Sequence, residues 1–197
     1  MTARDKFRDH TNPPSMARIA HIIDVLNQVV GAICAVFILI IVADTFVVAV
    51  FRYVFNLGSI WLQEIYVWLH GAVFMLAAGY TLLLDGHVRV DVIYGGLSER
   101  NKAWMNLFGV FFFLLPMMGV LAYYVIPYVE LSWIRREGSR DAGGLPAVYI
   151  LKATMLAFIV TLSLQSMSII MKNILLLMGY GTQPSESLTR EGESECR

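Results

Sequence analysis

The chain has 197 residues, 57% hydrophobic and 15% charged, with a mean hydropathy of +0.63. Soluble domains carry about 25% charged residues, so this composition excludes an ordinary water-soluble globule. Fifteen basic residues balance fifteen acidic ones, which removes bulk-charge attraction to nucleic acid. The two cysteines, Cys34 and Cys196, make neither a paired metal motif nor a disulfide framework.

In chain order, a polar segment, 1–21, precedes four apolar runs, at about 22–50, 61–84, 104–131 and 148–178. Each reaches the roughly 20 residues that cross a bilayer, and the first is too long for a secretory signal. The first carries Asp44 as the sole charge between residues 29 and 50. The second has Glu64 in its first turn and His70 further in, and the third holds Pro116 and Pro127. The fourth has Lys152 and Lys172 near its ends. The expected fold is an all-α integral membrane domain of four transmembrane helices over 22–178. The polar tail, 179–197, has the composition of a disordered cytoplasmic segment.

Orientation follows from Lys and Arg. With the N-terminus inside, Arg4, Lys6, Arg8, Arg18, Arg89, Arg100, Lys102, Lys172, Arg190 and Arg197 are cytoplasmic. Only Arg52, Arg135, Arg136, Arg140 and Lys152 are outside, so both termini are expected inside. The stretch DGHVRVD at 85–91 then marks the exit of the second helix at the headgroups. Residues 92–103 are expected to form a short in-plane helix before the third span. His87 with Asp85 and Asp91 makes a poor metal site, because no second histidine has ligand spacing.

The polar residues at membrane depth are the candidate site residues, because an acid in hydrocarbon needs a partner, a proton or water. Asp44 lies eight residues before Arg52, and His70 nine after Trp61, so an antiparallel hairpin is expected to bring Asp44 and His70 together. Arg52 and Glu64, at the outer rim, are expected to pair. Gly71-Ala72 and Ala78-Gly79 lie seven residues apart on one face, where small residues permit close helix approach. In the fourth run Thr154, Thr161, Gln165, Ser168 and Lys172 form one stripe. Such a stripe lines a pore or, as expected here, glues one helix to another.

The run 51–91, FRYVFNLGSIWLQEIYVWLHGAVFMLAAGYTLLLDGHVRVD, resembles the small membrane subunit of TRAP (tripartite ATP-independent periplasmic) transporters. The matching positions are Arg52, Asn56, Ser59, Trp61, Glu64 and Gly86-His87-Val88-Arg89-Val90-Asp91, with Gln63 where many members have an acid. The stretch Arg136-Glu137-Gly138-Ser139 through Gly143-Gly144-Leu145-Pro146 and Lys152 is similar to the subgroup labelled mannitol/chloroaromatic. The resemblance implies a non-enzymatic scaffold in a bacterial inner membrane, with no cofactor. Its implied partners are membrane lipids, a large elevator-type membrane subunit that carries sodium and an organic acid, and a periplasmic substrate-binding protein. Asp44, Arg52, Glu64, His70, His87, Asp91 and Gln165 become assembly residues. The charged outer loop offers Arg135, Arg136 and Arg140 for docking of the binding protein. The rival is a four-helix respiratory anchor with haem held between histidines such as His21 and His87.

Overall fold

The computed structural model describes residues 15–84, 86 and 98–179. These residues form four helices long and apolar enough to cross a membrane. Helix α1 is Ser15–Tyr53 and α2 is Ile60–Leu83. Helix α3 runs through Glu99–Gly109, a π-helical turn at Val110–Leu114, and Leu115–Ile134. Helix α4 is Val148–Leu177. At 39 residues, α1 is about 58 Å long, well beyond the roughly 30 Å hydrocarbon thickness.

The helix ends have local causes. Asn56 turns the chain after α1 at φ +53°, and Leu57 N–H donates to Phe51 C=O at 2.9 Å. Helix α3 ends in a Schellman turn, with Glu137 N–H on Ser132 C=O at 3.1 Å and Arg136 N–H on Trp133 C=O at 3.2 Å. The left-handed position of that turn, φ +44°, belongs to Arg136 rather than to glycine. At the end of α4, Gly179 takes the corresponding position at φ +83°.

Helix α3 starts after Ser98 and continues unbroken into the span, because nothing between Glu99 and Leu115 stops it. Of the segment 92–103 expected to form an in-plane helix, residues 99–103 form the start of α3. Residues 87–97, with His87 and Asp91 among them, and the tail from 180 lie outside the described residues. Pro116 does not end α3. Its ring would meet the Phe112 carbonyl, and the wider turn at Val110–Leu114 absorbs the conflict.

Helix α4 is central: it touches α1, α2 and α3, whereas α3 packs chiefly on α4. Small residues set the approach. A Cβ on Gly31 would lie 2.6 Å from the Tyr80 ring. One on Gly79 would press on the Asn27 side chain and lie 3.2 Å from the Thr161 backbone, so α1, α2 and α4 meet there. Outward faces stay apolar and open, as at Leu39 (70% exposed), Phe46 (69%) and Phe113 (69%). Such faces need lipid or a partner chain, which makes the four helices a membrane domain.

Candidate functional site

The alternating helix directions bring the start of α1 and the end of α4 to one end of the bundle, here the terminal end. Asp24 on α1 meets the polar stripe of α4 there. Its Oδ1 accepts from Ser168 Oγ at 2.8 Å and from Gln165 Nε2 at 3.1 Å. Its Oδ2 pairs with Lys172 Nζ at 2.5 Å. Gln165 Oε1 in turn accepts from Asn27 Nδ2 at 2.8 Å. Gln165, Ser168 and Asn27 are at most 2% exposed, so the Asn27–Gln165 bond is made out of reach of water, while the Asp24–Lys172 pair is partly open. Buried polar groups that satisfy one another bind helices together. This part of the stripe is glue to α1. Thr154 and Thr161 take no part in it and bond carbonyls of their own helix.

The opposite end carries the loops after α1 and α3. Glu64, just past the first turn of α2, accepts from the Ser139 hydroxyl on Oε1 and from Leu145 N–H on Oε2 at 2.5 Å. The expected Arg52–Glu64 pair is thus replaced by a bond between α2 and the α3–α4 loop. Helix phase explains the change. Glu64 shares a face with Gly71, whose Cβ position lies 3.5 Å from Leu151 of α4, so that face looks toward α4. Gln63, one residue earlier, lines a small pocket with Val48 and Arg52 of α1.

A second carboxylate grips the same loop. Glu137 pairs with Lys152 on α4 and accepts from Ser132 Oγ at 2.8 Å. The Lys152 ammonium, and after it the Ser132 hydroxyl, hold the Glu137 carboxyl below its ordinary value. Lys152 also lies 4.2 Å from the centre of the Tyr128 ring, a cation–π contact. Arg135, Arg136, Arg140 and Asp141 are exposed on this loop.

Asp44 and His70 are not brought together. Gly31 lies against Tyr80, and Val48 shares a pocket with Gln63, 17 residues later on α1 and 17 earlier on α2. That register sets His70 level with Ile41, roughly 4.5 Å from the level of Asp44. His70 is exposed, and Asp44 Oδ2 is buried without a hydrogen-bond partner among the described residues. His21 is exposed on α1. Sequence reasoning missed Asp24 and Asn27, although their spacing with Gly31 puts all three on one face of α1. It also missed Ser139 and Leu145, whose contact with Glu64 depends on loop conformation.

The family model described as Tripartite ATP-independent periplasmic transporters, DctQ component, matches residues 41–175. No curated protein and no solved structure matches the chain. The family match runs from the second half of α1 to the last turn of α4 and includes Glu64, the α3–α4 loop and Gln165.

Proposed function

The chain belongs to the DctQ component family of tripartite ATP-independent periplasmic transporters, a transporter component and not an enzyme, and from that premise we propose that it is the static scaffold of a sodium-coupled importer of an organic acid. Its proposed partners are a large elevator-type membrane subunit, which carries substrate and sodium, and a periplasmic substrate-binding protein. The proposed setting is a bacterial inner membrane with both termini inside, a cytoplasmic segment at 1–21, the membrane domain at 22–178 and a cytoplasmic tail from 179. The family match over 41–175 carries this reading. Residues 136–146 with Lys152 favour the mannitol/chloroaromatic-labelled subgroup.

The polar chemistry supports a scaffold. Asp24, Asn27, Gln165, Ser168 and Lys172 bond one another across α1 and α4, and Glu64 and Glu137 bond a loop. These groups hold helices in place. Arg52 and His70 are exposed without a hydrogen-bond partner among the described residues, and we assign them to contacts with the large subunit; Asp44, whose Oδ2 is buried in this chain, is assigned to assembly of the bundle. His87 and Asp91 are assigned to assembly on the resemblance alone. Arg135, Arg136 and Arg140 are assigned to docking of the binding protein, where exposed charges steer encounter more than they supply affinity.

Transport by proteoliposomes holding the large subunit with and without this chain tests the proposal. Uptake is expected to need this chain, the binding protein and an inward sodium gradient. Full uptake by the large subunit alone, or variants here that change substrate affinity, overturns the scaffold role. A Soret band in the purified protein would instead establish the respiratory-anchor reading, which the family match does not support.

A further inference from the structure

The α3–α4 loop is built, not merely tethered. Ser139 N–H donates to Leu145 C=O at 2.9 Å, Gly144 N–H to Asp141 C=O at 3.0 Å, and Asp141 N–H to Ser139 Oγ at 3.2 Å. The Glu64 carboxylate completes this ring from another helix, taking the Ser139 hydroxyl on one oxygen and Leu145 N–H on the other. Gly144 makes room for it: a Cβ there would lie 2.5 Å from Ser139 Oγ and 2.6 Å from Glu64 Oε1. Glu137 fixes the start of the same loop to Lys152 and Ser132. The arginines between and beside these anchors remain exposed.

A second feature concerns Arg136. An L-residue at φ +44° is disfavoured, and glycine is the usual occupant of that position in a Schellman turn. A charged residue held there is oriented at a cost, and the adjoining Arg135 and nearby Arg140 give the same rim three positive charges. Ordering such side chains and their loop before contact removes part of the entropy that binding otherwise loses.

We propose that Glu64 is a latch: it presets the α3–α4 loop so that Arg135, Arg136 and Arg140 form a rigid cationic edge for an acidic face of the binding protein. The proposal rests on the docking role assigned above and adds to it a positioning residue on a different helix. Glu64 touches neither substrate nor binding protein. It acts through Ser139 and Leu145. A glutamine at position 64 retains one good acceptor where two are needed, and an alanine at position 144 displaces the latch without altering any charge.

The test uses the assembled transporter in vesicles, with Glu64→Gln and Gly144→Ala compared against the triple neutralisation of Arg135, Arg136 and Arg140. Amide hydrogen exchange at Leu145 reads the latch itself. The binding-protein concentration for half-maximal uptake reads docking. Both single variants are expected to speed Leu145 exchange and to raise that concentration about threefold to tenfold, with uptake at saturating binding protein and substrate affinity unchanged. Unaltered Leu145 exchange in both variants overturns the latch. Faster exchange with no change in that concentration, while the arginine variant still raises it, shows a latch that positions nothing for docking. If the arginine variant also leaves it unchanged, the docking role itself fails. A shift that tracks the anionic lipid content of the vesicles, at constant binding protein, assigns the arginines to headgroups and overturns the proposal.

Discussion

At the terminal end of the bundle, Asp24, Gln165, Ser168 and Lys172 bind one another across two regular helices, while at the loop end Glu64 and Glu137 bind a turn and its flanks. The first cluster joins side chain to side chain inside the membrane domain, where removing Asp24 strands the Lys172 ammonium. The second lies next to exposed arginines, and one of its bonds goes to a backbone N–H. Loss of a terminal-end contact is therefore felt by the whole helix pair. Loss of a loop-end contact releases a loop and leaves the four helices packed. The same residue types thus serve assembly at one end and presentation at the other.

Asp24→Leu is the strongest challenge to that contrast. It leaves the Lys172 ammonium without its carboxylate and removes the acceptor of Gln165 Nε2, while Ser168 Oγ keeps the Ala20 carbonyl at 3.3 Å. The Asp24 and Lys172 side chains are 13% and 21% exposed, so removing one partner is expected to cost toward the lower end of the about 3–5 kcal/mol of a fully buried pair, whereas replacing both partners by apolar residues is often nearly neutral. Asp24→Leu is accordingly expected to lower the thermal midpoint of the purified protein in detergent strongly, and the double variant Asp24→Leu/Lys172→Met to recover most of the loss. A single variant as stable as the parent would place the terminal cluster on the same footing as a surface ion pair.

Gly79→Val tests packing beside the terminal cluster, against Asn27. The added side chain meets Asn27 and the Thr161 backbone at the point where α1, α2 and α4 converge. Overpacking of this kind costs about 1–3 kcal/mol, so the expected fall in thermal stability is smaller than for Asp24→Leu. Gly119→Val serves as the control, because nothing lies within 4 Å of its Cβ position. Equal losses in the two variants would remove the three-helix contact as the cause.

Much of this arrangement was legible in the sequence, because each span carries its own apolar run and needs no partner to be recognised. The α4 stripe was legible too, since Gln165, Ser168 and Lys172 recur at helical spacing. Their mates were not. Asp24 and Asn27 lie where the polar N-terminal segment shades into the first apolar run, and the longer clean stretch drew attention to Asp44 instead. Depth along a helix can be counted from its ends, but phase around the axis cannot. Arg52 and Glu64 share a rim and face different neighbours for that reason. Asp44 and His70 fail on both grounds, because Gly31 against Tyr80 sets the register and His70 turns outward.

At the loop end, Arg136→Gly separates presentation from stability. Glycine relieves a left-handed backbone that costs an L-residue about 1 kcal/mol. The variant is expected to be slightly more stable in thermal unfolding and yet to need more binding protein for half-maximal uptake. Improved stability with unchanged uptake would leave Arg136 as an unexplained strained residue and narrow the cationic edge to Arg135 and Arg140.

The smallest expected effect is a pH dependence at Glu137. Lys152 and Ser132 hold its folded value below the ordinary 4.5 for glutamate. The folded state therefore binds the proton less readily than the unfolded state. Its stabilising contribution is complete above the unfolded value and declines as pH falls through the folded one. Lys152 stays charged throughout that range, so the change belongs to the carboxylate. Thermal midpoints of the parent and of Glu137→Gln are expected to converge as pH is lowered below 4.5 and to differ by a constant amount above it. Hydrogen exchange in the α3–α4 loop should show the same convergence of parent and Glu137→Gln, while exchange at Gln165 and its neighbours should be equal in the two proteins at every pH. A parallel rise at both ends would mean that the loop and the helix pair open together, and the division between assembly and presentation would not hold.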